Sequence, residues 1–457
     1  MKKTELVAAA ASDCNLTRRS FLSTGAAAMA AGALATTAGC ATSTPAVKAA
    51  VPAAGATGLP APFVGAGIES VSAQAMYTLP RDHAYHGGAF YQTNDFNEWQ
   101  YITILGKDLD TGDDISVFWV PLSQGWMADE GRPLMNCLFA YHNIRTGEFK
   151  TAMIVLPGKF NSEGSAADAE DFWFRYHMTG PTEAFSTEYQ RAGERWHFKG
   201  SGTKSDANNA PFDLNFVSTV KFPGYVPSVY FGLESIGVDP QDRQNPETMY
   251  GLTYYYVAPQ METTGTLKLA DKTVRFSGMG WFEHQWGNFR NTYQYRYFYG
   301  YARLVNGDSF GWRQYYEGPN FTQPHYDVGR FQYLHANGRR EHAFGQAFKA
   351  EPMKWWTSPK TGRNYPWWGK MTTPKGVFYY GPSHPDQEGI ALAGGYIEGV
   401  LQFREGSPDG PIVGTGFCEM VSLTDPFPDG RDPSEGPTIT RGLPENPNLP
   451  WRPTGAR

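Results

Sequence analysis

Charge is scarce in this sequence. Asp, Glu, Lys and Arg make up 18% of its 457 residues and leave a net charge of −6. Such a chain has no basic footprint for a nucleic-acid backbone, so that class of partner is excluded. Cysteine is scarcer still, with four residues. Cys14 and Cys40 belong to the leader described below. Cys137 and Cys418 sit in strand-like apolar runs and read as buried thiols, although an oxidising compartment would allow them to pair. Helical periodicity is almost missing, and residues 166–176 are the best short candidate. No His-Glu-x-x-His, paired Cys-x-x-Cys or EF-hand loop is present, and His83-x-x-His86 reads as a solvated or hydrogen-bonded pair. Glycine-rich phosphate cradles are missing too. The expectation is therefore a protein with no metal and no cofactor.

What is abundant is aromatic and turn-forming. Aromatic residues reach 15%, with 51 glycines and 33 prolines, the composition of a globular chain with bulky groups to bury and many turns to make. Residues 1–40 read as an address. Lys2 and Lys3 precede Thr17-Arg18-Arg19-Ser20-Phe21-Leu22, and an alanine-rich apolar stretch follows that is too short to span a bilayer. This is the pattern of a twin-arginine export signal, which places the mature protein in the periplasm. Two endings are open: acylation at Cys40 in a lipobox-like Thr37-Ala38-Gly39-Cys40, which would tether the protein to a membrane, or cleavage near Ala35. Removal of residues 1–39 takes away four basic and two acidic side chains and moves the charge from −6 to −8. Beyond the leader no run of ~18 apolar residues occurs, so no spanning helix is expected.

Residues 41–75 are rich in Ala, Pro, Gly, Ser and Thr without periodicity and read as a flexible linker. Strand signals follow. Trp99, Tyr101, Thr103 and Leu105 alternate with Gln100, Ile102 and Ile104, then Asp110-Thr111-Gly112 turns the chain into the return run Ile115 to Val120. Tyr293, Tyr295, Tyr297, Tyr299 and Tyr301 occupy every second position, so five phenol rings share one face of an extended segment. Asn306-Gly307, Asn337-Gly338 and Pro408-Asp409-Gly410 mark three more hairpins. Many strands, frequent turns and few helices imply an all-β protein built from antiparallel sandwiches or barrels. The span is too long for one core, so two domains are expected, 76–270 and 271–425, ahead of a proline-rich tail at 426–457.

One motif imitates chemistry without its context. Gly307-Asp308-Ser309-Phe310-Gly311 fits the G-x-S-x-G pattern of serine hydrolases, with His86-Gly87-Gly88 upstream and His335, His342 and His384 downstream. A nucleophile elbow needs a strand before the serine and a helix after it, whereas here a hairpin turn precedes Ser309 and strand alternation follows. The hydrolase reading is set aside.

The informative stretch is Trp281-Phe282-Glu283-His284-Gln285-Trp286-Gly287. In a regular strand Trp281, Glu283 and Gln285 share one face and Phe282, His284 and Trp286 the other; a bulge near Gly287 could change this. A carboxyl enclosed by aromatic rings loses hydration, which raises its pKa and leaves it protonated near neutral pH. It can then act as a general acid. Tryptophan and tyrosine faces nearby would stabilise a developing cation by roughly 0.5–2 kcal/mol each. The other reading is a structural carboxylate, hydrogen-bonded to Tyr or Trp donors.

The run Tyr254-Tyr255-Tyr256-Val257-Ala258-Pro259, then Gly265-Thr266-Leu267, then Gly278 to Gly287, resembles the signature of the carotenoid 1,2-hydratase (hydroxyneurosporene synthase) superfamily. Asn97-Glu98-Trp99-Gln100-Tyr101 is similar to its opening strand. Tyr396-Ile397-Glu398-Gly399 with Gly414 to Met420 is similar to its closing hairpin. The resemblance implies two lipocalin-like β-barrels side by side and cofactor-independent chemistry on bulky apolar molecules. It places Glu283 where the carotenoid hydratases carry an aspartate proposed as the acid, and the exchange puts the particular substrate in question.

The expectation is thus a lyase or hydratase acting on a hydrophobic isoprenoid, terpenoid or aromatic phenolic. Glu283 would be the acid, with His284 its hydrogen-bond partner or the base that activates water. Trp99, Tyr101, Tyr255, Trp286 and Tyr295 would shape the pocket, and Arg313 would orient a polar end. The alternatives are a lipocalin-like carrier that binds an apolar ligand unchanged, or an isomerase or cyclase.

Overall fold

The computed structural model describes residues 68–69, 79–86, 96–235 and 252–421, apart from breaks at 130–131, 157–160, 167, 207–208, 222–223, 228–232, 289–295, 318–322 and 390–395. The leader and most of the linker, the proline-rich tail, Tyr293 and Tyr295 lie outside the described residues.

Among the described residues every strand pairs antiparallel, in two sheets. The first runs Glu148–Leu156, Arg132–Asn143, Asp114–Asp129, Phe96–Asp108, Thr273–Asn288, Leu252–Leu269, Phe212–Val220, Arg195–Gly202, Glu183–Gln190, Trp173–Thr179 and Asn161–Gly164. The second runs from Arg340–Phe344 through Gln323–Leu334, Ser309–Glu317, Arg296–Leu304, Ile412–Val421, Tyr396–Glu405, Gly376–Pro382 and Asn364–Thr373 to Lys349–Thr357. The hairpins expected at Asp110-Thr111-Gly112, Asn306-Gly307, Asn337-Gly338 and Pro408-Asp409-Gly410 are all present. Gly112, Gly307 and Gly338 sit at positive φ (76°, 89° and 90°), where other residues are strained.

Two expectations are corrected. The described residues between 166 and 176 are not helical: the chain turns after Gly164 and enters the strand Trp173–Thr179, whose buried faces alternate. Tertiary burial of Phe174, Tyr176 and Met178 overrides the helix-forming alanines. The domain boundary expected at Ala270-Asp271 falls inside the first sheet, at the tight turn where Leu269 N–H bonds Lys272 C=O. Thr273–Asn288 pairs with Leu252–Leu269 on one side and Phe96–Asp108 on the other, so the chain passes to the second sheet between Asn288 and Arg296. A turn signal marks a hairpin and a domain boundary equally well, and cross-strand pairing decides between them.

Each sheet curls around its own core. In the first, Phe139 stacks on Phe212 across the curl, ring centroids 4.2 Å apart and 4° from parallel; in the second, Phe310 meets Phe378 at 5.3 Å. A third core lies where the sheets pack together. It contains Tyr101, Phe118, Val120, Leu138, Ala140, Tyr255, Val257 and Trp281 from the first sheet and Tyr301, Leu334, Tyr396, Val400 and Phe417 from the second. Trp281 stacks on Tyr301 at 4.6 Å and Phe118 on Phe417 at 5.6 Å across this junction. The central strands are therefore buried on both faces, which explains their nearly continuous apolar sequence. Cys137 and Cys418 are free and buried in separate cores. Among the described residues no helix is long and apolar enough to cross a membrane.

Candidate active site

Strand Thr273–Asn288 is regular through the signature stretch, so its side chains alternate as the sequence requires. Trp281 lies in the junction core, while Phe282 and Trp286 lie in the core of the first barrel. Glu283 faces the junction with Trp281, 2% exposed. Its Oε1 accepts a hydrogen bond from Trp281 Nε1 at 2.5 Å. Loss of hydration pushes its carboxyl up to about 8, against the opposing pull of donors on Tyr255 and Trp281 and the charge of Arg313.

Pairing register brings further groups to the same face. In the second sheet Arg313 stands opposite Tyr299, Tyr299 opposite Glu419, and Glu419 opposite Glu398. Directly opposed residues of antiparallel strands point the same way, so these four form one row across four strands. The row meets the first sheet where Tyr255 and Tyr299 share a hydrogen bond at 2.8 Å between hydroxyls. The Arg313 guanidinium lies 4.8 Å from the Tyr299 ring centroid and 5.9 Å from that of Tyr255. Tyr101 is the cross-strand partner of Glu283 and also faces the junction.

Three carboxyls and one guanidinium thus share a poorly hydrated space. Glu419 receives the Tyr297 hydroxyl, and burial outweighs that bond and the Arg313 charge to set it at about 6. Glu398 is held well above the usual carboxylate range, first by burial and then by the charges of Glu419 and Glu283, although Tyr396 and Tyr101 donate to it. Its Oε2 is buried without a hydrogen-bond partner. Like charges placed directly opposite repel, so one cation supports one carboxylate. At neutral pH Glu419 carries that charge beside Arg313, and Glu283 and Glu398 hold protons.

The sequence-derived residues divide between the two faces. Tyr101, Tyr255, Arg313 and the partly buried Trp99 join Glu283 at the junction. His284 and Trp286 do not: both point into the first barrel, where His284 Nε2 lies 2.7 Å from Glu98 Oε1. The expectation that His284 is the hydrogen-bond partner of Glu283, or the base that activates water beside it, is corrected by strand alternation, since the pairing runs in regular register from Glu283 to Trp286. Tyr295 lies outside the described residues. Glu398, Glu419, Tyr297 and Tyr299 were not singled out as site residues. Their signal was available: a glutamate in an apolar alternating run, as at Glu283. Ser309 opens a strand with no helix after it, so the hydrolase elbow does not form. A cleft of about 740 Å³ lies elsewhere between the sheets, lined by Lys150, Asp206, Asn209, Asp271, Lys360 and Glu388 among others.

Two curled antiparallel sheets, each with its own core and joined along one face, define a protein of two lipocalin-like β domains. The chain belongs to the AttH-like family, whose model matches residues 181–423, more than half of its length. Among solved structures it is similar to a putative AttH from Nitrosomonas europaea, with 19% identity, a TM-score of 0.57, and coverage of 78% of this chain and 99% of that one. It is also similar to kievitone hydratase from Nectria haematococca, with 16% identity, a TM-score of 0.48, and coverage of 78% and 97%. Comparison with curated proteins gives no match.

Proposed function

We propose that this protein is a cofactor-independent hydratase or dehydratase of the periplasm, acting on an alkene or phenolic with a bulky apolar body. The observation that supports it is Glu283, a carboxyl held neutral near pH 7 beside a second carboxyl that is ionised, within a junction lined by Tyr101, Tyr255, Trp281 and Tyr301. Environments that push two titratable groups apart make one an acid and the other a base.

In the hydration direction Glu283 transfers its proton to one alkene carbon, and the π electron pair becomes the new C–H bond. The adjacent carbon takes up the positive charge, which the aromatic faces stabilise. Water attacks that carbon with an oxygen lone pair, and Glu419 accepts the proton the oxygen loses. Dehydration is the same path reversed. Arg313 keeps Glu419 ionised and orients a polar end of the substrate. The twin-arginine leader supports the periplasmic location, and Cys40 would be the attachment point if the protein is tethered.

The test incubates purified protein with lipophilic alkene and phenolic extracts and follows mass and chromatographic retention. A gain or loss of one water that disappears in Glu283→Gln, with the far-UV circular dichroism spectrum retained, supports the reading. Removal of a general acid costs about 10²–10⁴ in rate. Binding with neither mass nor retention changed would identify a carrier, and full turnover by Glu283→Gln would remove this residue from the mechanism.

A further inference from the structure

The opposite face of the Glu283 strand carries a second set of converging polar groups, inside the first barrel. His284 and Glu98 are fully buried, and the His86 side chain keeps 15% exposure at the start of the barrel. His86 Nδ1 lies 2.8 Å from Glu98 Oε1, and His284 Nε2 lies 2.7 Å from the same oxygen. The three donor atoms all fall within 4.8 Å of one another. They come from three separate segments of chain: the stretch that follows the 3-10 turn Arg81–His83, the strand Phe96–Asp108 and the strand Thr273–Asn288.

We infer that His86, Glu98 and His284 form a binding site for one first-row divalent transition-metal ion, with zinc the natural probe. Two imidazole nitrogens and one carboxylate oxygen are the donor set such ions favour, whereas magnesium and calcium require oxygen ligands. Bonds of ~2.0–2.2 Å at tetrahedral angles put ligand atoms about 3.3–3.6 Å apart. The two contacts to Glu98 Oε1, at 2.7 and 2.8 Å, therefore open, and the two imidazole nitrogens, within 4.8 Å of each other, settle at that spacing.

The surroundings match what metal-bound histidines require. A ligating imidazole almost always passes its remote N–H to a carboxylate, carbonyl or hydroxyl, which fixes ring orientation. His86 Nε2 lies 3.5 Å from Asp82 Oδ1, and Arg81 in turn holds Asp82 at 2.7 Å. His284 Nδ1 lies 3.1 Å from the Tyr256 hydroxyl, which is itself 2.7 Å from His83 Nδ1. Trp286 stacks on His86 with centroids 4.2 Å apart and planes 7° from parallel. Both rings are thus oriented from behind, and their other nitrogens meet at one oxygen.

Metal uptake displaces the N–H donors now facing Glu98. The His86 proton on Nδ1 leaves to solvent while Nε2–H stays on Asp82. His284 moves to the Nδ1–H tautomer, and the Tyr256 hydroxyl turns towards His83. The spacing His83-x-x-His86 marks the wrong pair. His83 points away to Tyr256, and the partners of His86 lie 12 and 198 positions along the chain.

The experiment uses tag-free full-length protein, stripped with chelator, dialysed against zinc and then counted for metal by mass spectrometry. Cobalt is used in parallel for its visible d–d bands. One zinc per chain is expected for the wild type, falling to trace in Glu98→Gln and in His86→Asn. Asp82→Asn, which removes only the support behind His86, weakens zinc affinity about 10- to 100-fold. His86→Asn changes the most exposed of the three and keeps the test available where Glu98→Gln fails to fold. A wild-type protein that retains no zinc, or variants that retain it equally, overturns the proposal. Neither result bears on turnover by Glu283, which faces the other side of the sheet.

Discussion

Glu283 and His284 are adjacent in the chain and lie on opposite sides of one sheet. The first accepts a hydrogen bond from Trp281 at 2.5 Å in the junction between the barrels, and the second meets Glu98 at 2.7 Å inside one of them. A backbone thickness therefore separates two polar clusters that the sequence writes as one dipeptide. This alternation makes their chemistries independent, and perturbation of each can be read separately.

The acid limb belongs to Glu419 and the alkaline limb to Glu283. Burial and neighbouring charges place them at about 6 and about 8. The proposed reaction needs Glu419 ionised and Glu283 protonated, so kcat/KM is expected to rise through about 6 and fall through about 8, a bell with its top near neutral pH. Measurement of initial rates from pH 4 to 10 checks this. A profile flat across pH 8 would show that Glu283 does not donate the proton.

The same carboxyl sets a slope in stability. Its folded value lies above the ordinary value of 4.5, so folding favours the protonated form. That contribution is fully present below about 4.5 and is lost as pH rises through about 8. Glu283→Gln, neutral throughout, lacks this slope. Urea titrations at pH 5 and pH 9 are expected to show the variant gaining stability relative to the wild type at the higher pH. Equal differences at both would place an ionised Glu283 in the folded protein.

Much of the fold was legible because the signals were local. Period-two alternation at 99–105 and 297–301, and the Asn-Gly and Asp-Gly turns, specify strands and hairpins within a dozen residues. What lay between the sheets was less accessible. Both faces of the central strands are buried, so polarity does not reveal which face meets the other barrel. Glu283 was legible as a buried carboxyl with a raised pKa from its aromatic neighbours alone. Glu398 and Glu419 became its companions through a strand pairing that no local pattern announces, and His284 could have joined Glu283 only through a bulge near Gly287, where the strand instead pairs in regular register.

Close packing in the first barrel depends on a missing side chain. A Cβ on Gly200 would stand 2.3 Å from the ring of Trp119, which is fully buried. At that distance Gly200→Ala forces the buried indole off its rotamer or shifts the strand Arg195–Gly202. Overpacking of this kind costs about 1–3 kcal/mol. Denaturant melts are expected to show a lowered midpoint with an unchanged slope. A variant as stable as the wild type would mean that Trp119 repacks without strain.

Tyr297 controls which carboxyl holds the negative charge. Its hydroxyl donates to Glu419 Oε1, and that bond works with the Arg313 charge to hold the carboxyl down against the effect of burial. Tyr297→Phe deletes one oxygen and leaves the partly buried ring packed against the junction core. Without the donor, the Glu419 value rises towards that of Glu283, and the proton between them becomes harder to assign to either. The expected result is an acid limb displaced to higher pH, a narrower bell, and a reduced maximum rate because less Glu419 is ionised at neutral pH. The alkaline limb moves little, since Trp281 and Tyr255 hold Glu283 independently of Tyr297. Comparison of the two pH profiles separates this positioning role from a structural one, because a merely destabilised protein loses rate at every pH without displacing either limb.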